Sequence, residues 1–289
     1  MTGAAVSNAT LSFEGRSPVT TDAGGAWRLE GSGVAAARLA VTIQAAGYVS
    51  RETGIAWQAA GRNDIQLDLL PERAPFDLQY YRQLVRNGFE APEKLEPLRR
   101  WSTVNPSFYV NTFNPKTGRA LEAGEIALVV QALHEAVPQM TGGRFVTATV
   151  ETGDTPRESR RDWINVSFIY DPNGDFCGQA FVGANPGTIT MNYDRCALDC
   201  GSLKVAPETI VHEVGHALGF WHTAGAGIMN PFRSRRCGNL QFSERERLHA
   251  RVAYSRVQGN LDSDKDPTGF SALTGSSEPP NVICRAEAR

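Results

Sequence analysis

The chain has 289 residues, 41% of them hydrophobic and 21% charged, with a formal net charge of −2. That composition suits one or two globular domains, and it lacks the basic excess of a protein that binds nucleic acid or anionic membranes. No apolar run approaches the roughly 20 residues needed to span a bilayer.

The first seventy residues read as short strands, with alternation clearest at Leu39, Val41, Ile43 and Ala45 and again at Ile65, Leu67 and Leu69. Turns are signalled at Asp22-Ala23-Gly24-Gly25, Gly31-Ser32-Gly33 and Gly61-Arg62-Asn63-Asp64, at intervals suited to an all-β sandwich over residues 1–71. No cluster of catalytic residue types falls there. Pro71-Glu72-Arg73-Ala74-Pro75 breaks helix and strand alike, so residues 72–102 are expected to link two domains. Within that stretch Phe76, Tyr80 and Leu84, with Leu78, Tyr81 and Val85, lie at helical spacing and predict a docking helix from Asp77. Pro92 and Pro97 then make the chain irregular as far as Trp101.

A second domain is expected over 103–260. Ser107 to Thr112 reads as a strand, Ile126, Val129, Val130, Leu133 and Val137 as a helix closed by Pro138, and Phe145 to Val150 as β-rich. Ile164, Val166, Phe168 and Tyr170 alternate as in a half-buried strand, and shorter strands follow near Ala180 to Val182 and Thr188 to Met191. A helix is expected from Pro207, a residue suited to the first helical turn.

That helix carries His212-Glu213-Val214-Gly215-His216, and the run continues through Gly219 to His222. Histidines four apart stack on one helical face and can reach one cation, while Glu213, one step round, can reach a water beside it. Gly219 can turn the chain in a left-handed conformation so that His222 returns as a third ligand. Three protein ligands leave a fourth position open, which is the arrangement of a catalytic zinc ion and predicts one Zn²⁺ with Glu213 as general base. His134 and His249 fall in separate helical patterns and read as surface or packing residues.

This pattern resembles the metzincin zinc peptidases, whose signature is H-E-x-x-H-x-x-G-x-x-H followed by a methionine turn. Gly227-Ile228-Met229-Asn230-Pro231 is similar to that turn, and the resemblance implies that Met229 lies beneath the metal. The short connection looks like matrixin or snapalysin-type members. Thr223 after the third histidine departs from the best-known subfamilies, and no tyrosine follows Met229 where astacins and serralysins use one. The resemblance implies an α+β metzincin-like catalytic domain, a secreted or periplasmic zinc endopeptidase and a protein or peptide substrate. It also implies an edge strand before the zinc helix that takes substrate by strand addition, here Gly178 to Gly183. In the first domain, Gly3-Ala4-Ala5-Val6, Ala46-Gly47-Tyr48 and Ile65-Gln66-Leu67-Asp68-Leu69 are similar to carboxypeptidase regulatory-like, transthyretin-like modules, which implies an accessory role. Carbohydrate or cell-surface binding is the sharper alternative for it.

Cys177, Cys196, Cys200 and Cys237 gather around the zinc motif, which suggests disulfides in an oxidising compartment, with a second metal site as the competing idea. The expected pairing joins Cys177 to Cys196 or Cys200 and the other to Cys237, with Cys284 left over. Met1-Thr2-Gly3-Ala4-Ala5 has no signal-peptide character, so either the chain stays inside or its numbering starts after processing. No cysteine of a latency propeptide is visible, the first 176 residues having none.

Arg233, Arg235 and Arg236 read as a solvated loop or the wall of a substrate pocket. Ser243-Glu244-Arg245-Glu246 is a capping box opening a helix to about Arg256. A tail over 261–289 is expected, and Asn260, Asp262, Asp264 and Asp266 at its start read either as a solvated acidic turn or as a structural Ca²⁺ loop lacking the glycine and distal glutamate of an EF-hand. A monomer without nucleic-acid partners is expected. Two rivals to the peptidase stand: an extracellular binding or adhesion module with a structural zinc, and a zinc hydrolase of a non-peptide substrate.

Overall fold

The computed structural model describes the chain apart from residues 1–2, 31–37, 57–64, 102–103, 172, 175, 193–205, 232–240, 268–280 and 286–289; of 281 and 283–285 it describes the backbone alone. The chain divides into two units, Met1–Leu78 with Gly259–Thr274, and Gln79–Gln258 with Gly275–Arg289.

In the first unit, β1 (Thr10–Phe13), β2 (Val19–Thr20), β3 (Arg38–Gln44) and β5 (Arg51–Ala56) form one antiparallel sheet in the order β2-β1-β3-β5, while β4 (Tyr48–Val49) pairs with β6 (Leu70–Pro71). The period of two sends Leu11, Phe13, Val41, Ile43 and Ile55 to one face, and the register sets Leu11 against Ile43 and Phe13 against Val41 across the ladder. Ile65, Leu67 and Leu69 pack on this core, yet strand pairing there is confined to Leu70–Pro71, so their alternation marks a covering segment rather than the expected strand. The turn at 22–25 is an Asx turn in which Asp22 Oδ1 accepts from the amides of Gly24 and Ala26, both at 2.9 Å. The other two expected turns lie outside the described residues.

Residues 259–267 do not form the start of a free tail; they return to the first unit. The amide of Glu52 donates to Asp264 O (3.0 Å), that of Asp266 donates to Glu52 O (2.8 Å), and Thr53 Oγ1 donates to Asp266 Oδ2 (2.6 Å). Asn260 is fully buried and donates to Asp264 and Asp266 at 3.1 and 2.8 Å, while Arg51 lies 3.7 Å from Asp266. The carboxylates of Asp264 and Asp266 thus face protein donors, which is how buried acids are normally satisfied.

The second unit starts inside α1 (Leu78–Arg86), so residues 79–102, expected as linker, are part of it. Tyr80, Tyr81, Leu84 and Val85 are buried. Next come β7 (Ser107–Asn111), the hairpin of β8 (Phe113–Asn114) and β9 (Arg119–Ala120), α2 (Ala123–Met140), β10 (Thr149–Gly153), β11 (Trp163–Ile169), β12 (Phe176–Phe181), β13 (Gly187–Asn192), α3 (Pro207–Ala217), α4 (Glu244–Ser255) and β14 (Asn281–Arg285). The architecture is α+β. A six-stranded sheet runs β10-β7-β11-β13-β12-β14, parallel among the first four strands and antiparallel at the last two pairings.

Two boundaries shift from expectation. Helix α2 does not end at Pro138 but runs to Met140, because Thr141 closes the turn beyond the proline, its amide and hydroxyl both donating to Val137 O (3.1 and 2.8 Å). The same Oγ1 accepts from the amide of Phe145 (3.1 Å), which holds that residue in a turn and delays the strand to Thr149. The third difference is topological: β12 is not an edge. β14 lies along its outer side, pairing Phe181 with Asn281, Ala180 with Val282, Gln179 with Ile283 and Gly178 with Cys284. Pairing over a separation of about a hundred residues has no local sequence signal.

Candidate metal centre

Pro207 opens α3 at a position where its missing N–H is one of the unpaired donors anyway, and Glu208 in the first turn complements the helix dipole. Ile210, Val211, Val214, Ala217 and Leu218 are all 1% exposed or less, so this helix is wedged into the core and has little freedom to rotate. It ends at Ala217 with Leu218 as its cap, and Gly219 follows with φ +109. A Cβ there would lie 1.5 Å from the carbonyl oxygen of Arg99. Only glycine satisfies both the dihedral and the approach.

The reversal at Gly219 brings His222 back to α3. His212, His216 and His222 are buried, and their Nε2 atoms converge, 3.0 Å apart for 212–216 and 3.2 Å for each of the other two pairs. Four nitrogens around Zn²⁺ at about 2.0–2.1 Å in a tetrahedron stand about 3.3 Å apart, so the triangle fits one such ion. The three form the one cluster among the described residues able to hold a metal. Each Nδ1 is committed on the far side of its ring: His212 to Ile228 O (2.6 Å), His216 to Phe220 O (2.7 Å) and His222 to a carboxylate oxygen of Glu90. A carbonyl or carboxylate oxygen can only accept, which fixes the proton on Nδ1 and leaves the lone pair of Nε2 pointing at the shared centre.

Burial keeps the rings of His212 and His216 neutral. His212 is held down to about 3, chiefly by desolvation and next by His222, against a smaller upward pull from its bond to Ile228 O. His216 lies well below the usual histidine range, again through burial and then its two neighbours. Three facing lone pairs in a dry pocket repel one another, and a cation among them removes that repulsion.

Glu213 is 0% exposed, and burial pushes its carboxyl well above the ordinary range. Neither of its oxygens has a hydrogen-bond partner among the described residues. An orphaned buried carboxylate is costly, and its persistence on the helix that carries two of the converging imidazoles fits a site completed by a cation and its water. Strand β12 makes room for it: a Cβ on Gly178 would lie 2.5 Å from Glu213 Oε1.

Met229 is fully buried and meets α3 at Gly215, beside His216 in the chain, where a Cβ would come within 2.4 Å of its Sδ. Its turn is held from two sides, by Thr223 N donating to Met229 O (2.9 Å) and by Met229 N donating to Glu246 Oε1 (3.0 Å). Glu246 is the capping-box residue of α4, its other oxygen accepting from Ser243 N at 2.7 Å. One carboxylate therefore caps α4 and ties it to the Met229 turn. From the same helix, Tyr254 Oη donates to Leu218 O (2.8 Å) at the end of α3.

All five residues singled out in the sequence, His212, Glu213, His216, His222 and Met229, come together here. Glu90 was missed. It follows α1, which ends at Asn87 with φ 59 and a bond from Gly88 N back to Arg82 O (2.9 Å), a glycine-like cap performed by asparagine. The His222 segment is fastened to α1 on either side, by Trp221 N donating to Leu84 O (2.8 Å) and Ala224 N donating to Gln83 Oε1 (3.0 Å). The expected docking helix is thus a strut of the metal centre. His134 is exposed; His249 is buried, with Nδ1 bonded to Arg245 O (2.7 Å) and its ring edge-on to Tyr80. Cys177 is 2% exposed and disulfide-bonded. Cys196, Cys200, Cys237 and the side chain of Cys284 lie outside the described residues, as do Arg233, Arg235 and Arg236.

No protein-family model and no curated protein sequence matches the chain. Among solved structures it is similar to a chain of the GM1-bound ECX AB5 holotoxin, at 13% identity over 63% of this chain and 93% of that one, with a TM-score of 0.33. It is likewise similar to metalloproteinase-II from Bacteroides fragilis, at 13% identity over 76% of this chain and 80% of that one, with a TM-score of 0.34.

Proposed function

We propose that the protein is a zinc-dependent endopeptidase of the metzincin type. The observation that carries this reading is the convergence of three buried Nε2 atoms, two of them from a helix that also carries a buried carboxylate with no hydrogen-bond partner among the described residues. Three protein ligands among the described residues leave a coordination position open, as catalytic zinc sites do and structural ones do not. Zinc held by His212, His216 and His222 supplies Lewis acidity to water and to the scissile carbonyl.

Glu213 acts as the proton carrier, taking a proton at a carboxylate oxygen from the attacking water and passing it to the leaving amine. Burial makes this carboxyl a stronger base than usual, and a nearby cation works against protonating it at rest. Glu90, Ile228 O and Phe220 O hold the imidazoles in the required tautomer. The first unit, a β module with its own core, is proposed as an accessory domain of the carboxypeptidase regulatory-like kind, and the disulfide at Cys177 suits secretion.

Metal analysis together with cleavage of a random peptide library tests the reading. The expected result is one zinc per chain and endoproteolysis abolished by a chelator and restored by zinc. Bound zinc without cleavage of any peptide would move the assignment to an adhesion module or to a hydrolase of another substrate.

A further inference from the structure

The strand β14 lies where an incoming peptide would have to go. β12 borders the centre directly: Gly178 abuts Glu213, the amide of Gly183 just beyond the strand donates to His216 O (3.0 Å), and the inner edge of β12 is already taken by β13. Its outer edge is therefore the sheet edge open to strand addition beside the catalytic residues, and β14 covers it from Phe181 to Phe176 in antiparallel register, with Cys284 opposite Gly178. A side chain anchors the strand as well. Val282, 6% exposed, forms a separate apolar cluster with Val182 and with Trp221, the neighbour of His222. Backbone pairing with a pocket for an alternate side chain is the chemistry by which sheets bind extended peptides.

We infer that β14 is a resident occupant of the peptide-binding edge, an intramolecular strand that substrate must displace; this rests on the peptidase reading above. The edge selects an extended segment with an apolar residue at the place of Val282, and the chain's own C-terminal segment competes for it. A tethered segment acts at an effective concentration on the order of millimolar, so it outcompetes micromolar substrate while attached and is lost once detached.

The experiment uses the full chain, folded before any cut, with a site-specific protease sequence inserted after Thr274. At about 1 μM protein, with the disulfide at Cys177 opened by a phosphine reductant in the cut and uncut chains alike, cutting and removing the fragment is expected to raise turnover of a quenched fluorescent peptide on the order of a hundredfold. A synthetic peptide of residues 279–287 should suppress it again. Val282→Asp in the uncut chain should release part of the same activity with an unchanged circular dichroism spectrum. Turnover equal before and after removal of the fragment, or insensitive to excess peptide, overturns the inference. If neither form cleaves anything but labelled peptide still binds the cut chain and not the uncut one, the strand stands as an exchangeable occupant and the peptidase reading falls.

Discussion

Replacing Glu90 by alanine removes the acceptor that holds the His222 ring and leaves its Nδ1–H without a partner among the described residues in a nearly dry pocket. A hydrogen bond to a charged group contributes about 1.5–3 kcal/mol when buried. Here the donor side chain is 2% exposed but the Glu90 side chain is 38% exposed, so water competes for the carboxylate and the lower end, about 1.5 kcal/mol, applies. That is roughly a tenfold loss of zinc affinity, at the weak end of what removing an outer partner of a metal-bound histidine does. His212 and His216 have backbone carbonyls that no substitution removes, so the loss is confined to one of three ligands. Competition with a chromophoric chelator measures it directly. Glu90→Gln, which keeps an acceptor and drops the charge, should lie between wild type and alanine. An unchanged zinc affinity in Glu90→Ala would show that the ring is positioned by the Trp221 and Ala224 backbone anchors alone, and would refute the role given to this carboxylate.

Glu213→Gln preserves shape and should retain zinc while lowering kcat by a factor on the order of 10²–10⁴; wild-type turnover would end its assignment as base. Gly219→Ala adds a Cβ 1.5 Å from Arg99 O at φ +109, so about 2–5 kcal/mol of strain and displacement is expected, read as a Tm lowered by roughly 5–20 °C, and a shift under 2 °C would contradict the packing described. Acidity should destabilise the chelator-stripped protein. His212 has a folded value of about 3 and His216 is also depressed, so below pH 6.5 the unfolded chain binds protons that the folded chain does not, and stability falls as pH drops from 6.5 toward 3. Glu213, raised in the fold, works in the opposite sense above pH 4.5, so thermal melts of Glu213→Gln should show the loss more steeply; melts flat between pH 7 and 5 would sink the assignment.

The site was legible in the sequence to the extent that it is local. His212 and His216 share a helical face by spacing, Gly219 and His222 follow within one turn, and the Ser243/Glu246 box announces its own helix; each depends on residues a few positions apart. The same locality misled at Pro138, where the breaker is real but Thr141 closes the helix beyond it, and at Ile65 to Leu69, where alternation recorded burial without ladder pairing. It also left Gly259 to Asp266 as a tail start, since nothing near those residues shows that Glu52 and Thr53 will pair with them.

What the sequence by itself determined is the chemistry on offer: three imidazoles and a carboxylate at spacings that a helix and a glycine turn must bring within reach of one ion. What only the tertiary structure decided is the surroundings. Glu90 reaches His222 across 132 positions, Glu246 caps α4 and holds the Met229 turn with its two oxygens, and β14 lies on the edge of β12. Such contacts are set by closing long loops and burying apolar faces, which is a property of the whole packed unit, whereas helix spacing and left-handed glycine turns are properties of a few adjacent dihedrals.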